Sequence, residues 1–455
     1  MTRAASTETQ PITQRYIFSF WLPLAASWAL MALEGPFVQA AIARLPDPET
    51  HLAAFGIVVS LSVTIESPVI MLLATSTALC RDWGAFRVLR RFMLWLNLFV
   101  TVVAAIVAFT PVYNWVVPGL MGTPDHIAEV ARPGLQVMTL WSAAIGWRRF
   151  YQGIMIRFGQ TRRVSYGTAV RLLTSGGTAA VLAVWGTLPG TLVGSCALMA
   201  GVLSEAAFAT WVVRPTLATR LSASAASPWR ASRPHQRPLQ LTMRRVAGFH
   251  LPLAATSLLT LLSQPLISAG LARLPFPEQS LAAWPVASSL FFVTRSFGMA
   301  VQEVTIALVA GPHTLDPVRR FNRGVALSTM LLLALVAFTP LADLYLREIT
   351  GVSAELARFA VPGLRAALLL PGLTALQSEL RALLMKGEAT RSIYQAMGIN
   401  LAITLVALFV GVVLQTPGVP MAAIVLTLAM AAEMIFLQWR AQPVVNRILA
   451  GDIAQ

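Results

Sequence analysis

The chain repeats itself. LPLAA at Leu22–Ala26 returns at Leu251–Ala255, and ARLPDPE at Ala43–Glu49 returns as ARLPFPE at Ala272–Glu278. FTP at Phe109–Pro111 returns at Phe338–Pro340 and PGL at Pro133–Leu135 at Pro362–Leu364, each displaced by 229 residues. Glu205 recurs as Glu433 with one residue lost. Each copy carries six apolar stretches of membrane-spanning length. Six is even, so both copies enter a bilayer in the same direction and are related by a pseudo-twofold axis along its normal. The predicted fold is an all-α polytopic membrane protein of twelve transmembrane helices in two parallel six-helix repeats. The expected lobes are 1–213 and 246–455, joined by a linker at 214–245, with substrate between the lobes near mid-membrane.

Composition agrees. Hydrophobic residues make up 56% and charged residues 12% of the 455, against about a quarter charged in soluble domains. In a soluble protein a formal charge of +15 would suggest nucleic acid, but here the basic residues alternate from loop to loop. Arg81, Arg87, Arg90 and Arg91, then Arg148 to Arg163, Arg214 to Arg245, Arg319 to Arg323, Arg381 to Arg391, and Arg440 with Arg447 all fall on one side. The intervening loops mix Arg44, Arg132, Arg273, Arg347 and Arg358 with acids. The positive-inside bias places both termini in the cytoplasm of an inner (plasma) membrane protein, with no nucleic-acid partner. No cleavable leader is expected in residues 1–15.

About 20 mainly apolar residues cross the hydrocarbon layer. The expected spans are 16–42, 52–79, 91–117, 130–156, 164–186, 189–213, 246–272, 280–310, 321–346, 356–384, 392–414 and 418–440. Pro23/Pro252 and Pro36/Pro265 are repeat-paired and predict kinks in the first helix of each half. The linker is rich in Arg, Ser, Ala and Pro and is expected to be a tether, with membrane contact through Trp229 as the alternative. Cys80 and Cys196 are expected at opposite ends of their spans as free thiols. Trp21, Trp83, Trp95, Trp115, Trp147 and Trp439 are expected as interfacial anchors.

An ionisable side chain inside a span is expensive and marks a candidate pathway. Glu34 lies in helix 1 beside Gly35–Pro36, either as a proton-exchanging carboxylate or as the partner of an Arg. Glu66 and Arg295 occupy equivalent positions in the two halves, so facing lobes would give a gate salt bridge or a fixed structural pair. Arg365 follows Pro362–Gly363 in helix 10. Its planar fork suits a carboxylate or phosphate, so it is the leading anion contact together with Arg295, and snorkelling to headgroups is the rival. Gln302 and Glu303 are expected on the cavity floor. Glu205 and Glu433 are assigned structural roles, Arg171 a snorkelling one. Arg148, Arg149, Glu379 and Arg381 are candidate ion pairs at the cytoplasmic helix ends. No phosphate-binding glycine loop precedes a Lys-Ser/Thr, the five histidines lack metal spacing, and neither an enzyme nor a cofactor is expected.

Two parallel six-helix repeats with cytoplasmic ends resemble the multidrug/oligosaccharidyl-lipid/polysaccharide (MOP) exporter superfamily, which includes the multidrug and toxin extrusion (MATE) transporters and lipid-linked sugar flippases. LAAFG at Leu52–Gly56 resembles the start of MATE helix 2. The acidic residue typical of MATE helix 1 would fall near Val38, whereas this chain has Glu34 one turn earlier. A closer resemblance is to the progressive ankylosis protein family, carried by PLAAS, Glu34 and LAAFG in helices 1–2, by Gln302–Glu303 in helix 8, and by VPGLR, Pro371 and Leu384–Met385 in helix 10. Arg295 has no clear counterpart there. The resemblance implies an alternating-access secondary exporter of small organic or phosphorylated anions such as citrate, pyrophosphate or nucleotides. The alternatives are a proton- or sodium-coupled MATE-type cation antiporter and a lipid-linked precursor flippase.

Overall fold

The computed structural model describes residues 12–221, 241–387 and 389–450. Among these, the helices order into α1 (Gln14–Ile42), α2a (Pro48–Ile70) with α2b (Leu72–Leu79), α3 (Trp83–Phe109), α4a (Asp125–Val137) with α4b (Trp141–Arg157), α5 (Thr161–Trp185) and α6 (Gly190–Thr216). The second half follows suit. It comprises α7a (Met243–Leu261) with α7b (Ser263–Leu271), α8a (Pro277–Met299) with α8b (Val301–Leu308), α9 (Pro312–Phe338), α10a (Ala354–Ala366) with α10b (Leu370–Lys386), α11 (Thr390–Val413) and α12 (Gly418–Ala450). Short turns at Trp115–Leu120 and Leu344–Ile349 end the connections after α3 and α9.

Nine helices among the described residues are long and apolar enough to cross a membrane, ten when the α10 pair, bent by 42°, counts as one. The chain is a multi-pass membrane protein. The remaining two segments, α4 and α8, carry charges that lower their hydropathy: Asp125, Glu129, Arg132, Arg148 and Arg149 in one, Glu278, Arg295 and Glu303 in the other. α6 continues through a turn at Leu217–Leu221, past the expected end at 213. The rest of the linker, with Trp229, lies outside the described residues.

The breaks follow the repeat. α2 is interrupted at Met71 and α8 at Ala300, and α4 at Met138–Leu140 matches the interruption of α10 after Ala366. Pro68 and Pro371, each lacking an N–H, lie within three or four residues of two of them. The first helices differ from expectation: α1 runs unbroken through Pro23 and Pro36, whereas α7 breaks at Leu262, three residues before Pro265.

Each lobe gathers its own helices, but α1 and α7 cross between them. On the face that carries both chain ends, here the terminal face, Ile17 of α1 packs into a second-lobe cluster with Val304, Leu315, Val318, Leu383 and Ile448. α7a there packs on α2, α2b and α3 of the first lobe. The opposite face is closed. A Cβ on Gly56 of α2a would stand 2.7 Å from Pro285 Cγ of α8a, so the two helices meet at a glycine. Beside them Gln39 Nε2 donates to the Pro285 carbonyl (3.2 Å) and Ser289 Oγ donates to Gln39 Oε1 (2.8 Å).

Glycine also sets the fit inside the first lobe. A Cβ on Gly153 of α4b would lie 2.3 Å from the Leu73 carbonyl oxygen of α2b, and the Gly153 carbonyl accepts from Thr77 Oγ1 at 3.0 Å. Overpacking of this kind costs about 1–3 kcal/mol. Gly153→Ala is therefore expected to lower thermal unfolding in detergent by that amount, while Gly177→Ala, which meets nothing within 4 Å, leaves it unchanged or raises it.

Candidate functional site

The first lobe buries a closed network of charge. Glu34 of α1 is 7% exposed and accepts two hydrogen bonds from the Arg171 guanidinium of α5, one from Nε at 2.9 Å and one from the terminal nitrogen. Glu205 of α6 is fully buried. Its carboxylate pairs with Arg148 of α4b at 2.8 Å, lies 3.9 Å from Arg171, and accepts from Gln152 Nε2 at 2.8 Å. Trp141 donates its indole N–H to Glu66 of α2a and lies beneath the Arg171 guanidinium, 5.5 Å from its centre. Arg149 stands alongside with its Nε unpartnered. Three carboxylates thus face three guanidiniums, a formal balance of zero. Breaking a buried pair costs more than forming it gains, so the set acts as a unit.

Two expectations are corrected here. Arg171 does not snorkel: it is 12% exposed and clamps Glu34 within the lobe, because a bidentate carboxylate satisfies the fork better than a distant headgroup. Arg148 is no end-of-helix gate residue, since it is sealed against Glu205 inside one lobe.

The second lobe echoes the network with different chemistry. Glu433 of α12, 2% exposed, pairs with Arg381 of α10b and accepts from Asn400 Nδ2 at 2.9 Å. Arg381 stands at the repeat position of Gln152, and Asn400 at that of Arg171. Arg295 of α8a donates from Nε to Thr374 Oγ1 at 2.8 Å, and another of its nitrogens lies 3.5 Å from Met430 sulfur. No carboxylate pairs with it in the described structure. Around Glu433 the lobe thus holds two guanidiniums, Arg295 and Arg381, against one carboxylate, while Glu379 pairs with Arg319 and Glu303 stands apart on α8b.

The proposed Glu66–Arg295 gate pair does not form. Glu66 turns to Trp141 and Arg295 to Thr374, each into its own lobe, because α2a and α8a meet through Gly56 and Pro285 rather than through these residues. Arg365 is also displaced from its expected place. It is exposed, donates from Nε to the Ala337 carbonyl at the end of α9 (3.2 Å), and lies over Phe338 at 5.4 Å. Gln136 does the same for Ala108 in the first repeat (3.4 Å). Arg365 caps a helix at the rim, where a cation suits the negative helix end, and does not line an interlobe site. Glu303 of α8b meets the indole of Trp28 on α1, which places it where the lobes touch, with Oε2 unpartnered. Gln302 reaches only the Met385 sulfur, at 4.0 Å. Glu379 joins Arg319 at 3.3 Å and Asn322 at 3.0 Å. The thiols Cys80 and Cys196 are free, and the described residues hold no group of three or more His, Cys, Asp or Glu suited to a metal.

Sequence reasoning missed the residues that hold the lobes together. At the end of α1, Arg44 donates across the lobe boundary to the carbonyls of Glu348 (3.2 Å), Ile349 (2.8 Å) and Thr350 (3.3 Å). Its repeat mate Arg273 donates across to Leu120 (2.6 Å) and Met121 (2.7 Å). Each guanidinium fills the end of a turn whose carbonyls have no partner of their own. Each also lies against a glycine in the left-handed region, Gly351 (φ 75°) and Gly122 (φ 69°), where a side chain would be both strained and obstructive. The offset of 229 that pairs Arg44 with Arg273 and Gly122 with Gly351 was the signal that could have found them.

The chain matches a structure described as the inward-facing conformation of a multidrug resistance MATE family transporter of the MOP superfamily, at TM-score 0.70 and 12% identity, over 96% of this chain and 99% of that one. It also matches the lipid II flippase MurJ in an inward closed conformation, at TM-score 0.71 and 10% identity, over 95% and 90%. A third match is a MOP superfamily transporter from Pyrococcus furiosus, reported with reversed polarity of its binding pocket, at TM-score 0.64 and 14% identity, over 96% and 97%. No family model and no curated protein matches the sequence. The fold is that of the MATE and MurJ proteins.

The two arginine locks yield a direct test. A hydrogen bond to a charged group contributes about 1.5–3 kcal/mol, so losing both arginines is expected to part the lobes on the opposite face. In the Arg44→Ala, Arg273→Ala double variant, maleimide should label Ser289→Cys, now between the lobes, at least ~10-fold faster than in its absence, with each single variant intermediate. An unchanged rate would show that the Gly56–Pro285 contact closes this face unaided.

Proposed function

We propose that this chain is a secondary transporter that exports a small organic or phosphorylated anion by rocking its two lobes, with Arg295 as the anion contact. The observation that carries the reading is the uncompensated guanidinium of Arg295 inside the second lobe, beside an Arg381–Glu433 pair that leaves it no carboxylate. A buried charge without a partner is costly, and an anionic substrate supplies the missing partner at the moment it binds. The first lobe supports the same assignment by contrast, since its three guanidiniums stand among three carboxylates.

Alternating access is supported by the arginine locks, which close one face through hydrogen bonds that can be exchanged for water. Two of the matched structures are described as inward-facing and inward closed, in keeping with closure opposite the chain ends. The abundance of Arg on the terminal face supports a cytoplasmic assignment of that face, and Glu303, half-buried against Trp28 of α1, is the carboxylate best placed to answer lobe movement. Glu34 and Glu66 stay within the first-lobe network and shape it. A lipid-linked precursor would offer the same phosphate chemistry to Arg295, so substrate size separates the anion exporter from a flippase.

Uptake into proteoliposomes is the test, with citrate, pyrophosphate, ATP and a lipophilic cation compared with and without a pH gradient. At least one soluble anion should be carried, and Arg295→Gln should reduce its flux by roughly 10-fold or more, about 1.4 kcal/mol or above, with normal membrane expression. Arg365→Ala should transport like the parent. Transport of the cation alone, or undiminished anion flux in Arg295→Gln, would overturn the assignment.

A further inference from the structure

On the terminal face, the crossing helices α1 and α7 are each fastened to the opposite lobe by one aromatic nitrogen. Trp21 of α1 donates its indole N–H to the Phe297 carbonyl of α8a at 3.2 Å, and its ring meets Phe321 of α9 edge-on at 5.8 Å and 71°. At the same repeat position stands His250 of α7a. Its Nε2 lies 2.9 Å from the Pro68 carbonyl of α2a, and its ring meets Phe92 of α3 edge-on at 5.1 Å and 71°. Phe297 and Pro68 are repeat mates, as are Phe321 and Phe92, and each accepting carbonyl lies three residues before the break in its helix. The fastening is one device built twice, with an indole that does not titrate in one copy and an imidazole that does in the other. Trp21 is accordingly an interlobe donor and not the interfacial anchor expected from its position.

The surroundings of His250 define its protonation chemistry. A carbonyl only accepts, so Nε2 carries the hydrogen. The other nitrogen, Nδ1, lies 2.9 Å from Thr75 Oγ1 and in the neutral ring accepts from that hydroxyl. A second proton would take the Nδ1 lone pair, oblige the Thr75 hydroxyl to turn round, and place a positive charge on a ring with no solvent exposure. No carboxylate is among the ring's partners. The ionisable groups on α7a and the helices packed against it are Arg244 and Arg245 on α7a, Glu66 on α2a, engaged with Trp141, with Glu49 and His51 at its far end, Asp82 with Arg87, Arg90 and Arg91 at the terminal end of α3, and Arg391 with Tyr394 on α11. Those at the terminal end are mostly cations, which do not stabilise an imidazolium.

We propose that His250 is a proton-binding latch: neutral, it holds the terminal half of α7 on the first lobe, and a proton arriving from the terminal face releases it. The protonated ring gains by reaching water, so proton binding and release of α7 are linked, and each promotes the other. This rests on the reading of the lobes as moving parts but not on the identity of the substrate. It supplies that transporter with a coupling ion, the proton, through a residue outside the carboxylates.

The test is electron–electron distance measurement on spin labels at Gly248→Cys and Trp95→Cys, in an otherwise cysteine-free protein in lipid nanodiscs between pH 8 and pH 5. The unaltered latch should gain a longer-distance population as pH falls, its ratio to the closed population changing by up to about tenfold per pH unit. His250→Gln, which keeps an N–H for Pro68 but cannot take the proton, should lose that pH dependence. His250→Trp, which copies the Trp21 fastening, should stay closed throughout. Both variants are checked for folding by size-exclusion profile. A distance distribution that ignores pH in the unaltered latch, or that responds equally in both variants, overturns the latch. Failure of anion transport with this pH response intact would overturn the substrate assignment and leave the latch standing.

Discussion

A charge sealed inside a membrane bundle must be met by another charge or by backbone, since water is not at hand. That constraint organises this molecule. In the first lobe it is met by equal numbers: Glu34, Glu66 and Glu205 stand among Arg148, Arg149 and Arg171, with Trp141 tying Glu66 to the underside of Arg171. The second lobe meets it incompletely, because Arg295 has a hydroxyl and a thioether where its repeat mate Glu66 has an indole donor. At the lobe boundary it is met by backbone, with Arg44 and Arg273 capping each other's turns. The three solutions differ in how easily they come apart. The sealed network is expensive to break, the backbone caps can exchange with water, and the unmet charge calls for a ligand.

Duplication lets the mechanical and the chemical positions be told apart. Several positions that hold the lobes retain their residue type or geometry in both copies: Arg44 with Arg273, Gly122 with Gly351, and the carbonyls of Pro68 and Phe297. The αL caps Asp47 (φ 48°) and Phe276 (φ 56°), each followed by a proline that starts a helix, keep the same backbone with unrelated side chains. Positions inside the lobes have drifted: Glu34 to Ser263, Glu66 to Arg295, Gln152 to Arg381, Arg171 to Asn400. A shared framework with divergent interiors is what two lobes need if they are to move as symmetric bodies while handling different charges.

Much of this was legible in the sequence. The offset of 229, the span lengths and the parallel sense of the halves lead to the architecture, because hydropathy and repetition are properties of the chain alone. The intramembrane charges were also found, since each is a rare residue in an apolar run. Their partners were not. Arg171 and Glu34 are 137 residues apart, and only the packing of α1 on α5 brings them together. Arg365 was misplaced because position along a span does not say which side of the helix faces a neighbour: it falls on the same side as Gln136 and caps α9. Sequence pairing of Glu66 with Arg295 was right about symmetry and wrong about contact, because a pseudo-twofold axis makes two residues equivalent without bringing them together.

The two faces of the bundle are closed by donors of different kinds, and this difference bears on direction. Guanidinium groups keep their protons across the accessible pH range, and the locks at Arg44 and Arg273 are built on them. On the terminal face the fastening of α1 through Trp21 is equally indifferent, which leaves His250 as the member of the four whose hydrogen-bonding changes with a proton. In the proposed latch, an asymmetry of one residue in an otherwise duplicated frame would make one face respond to proton concentration and the other not. On the proposed reading, such a frame would convert a proton arriving on one side into a preference for one state of the lobes, and a substrate at Arg295 would be carried along with that preference.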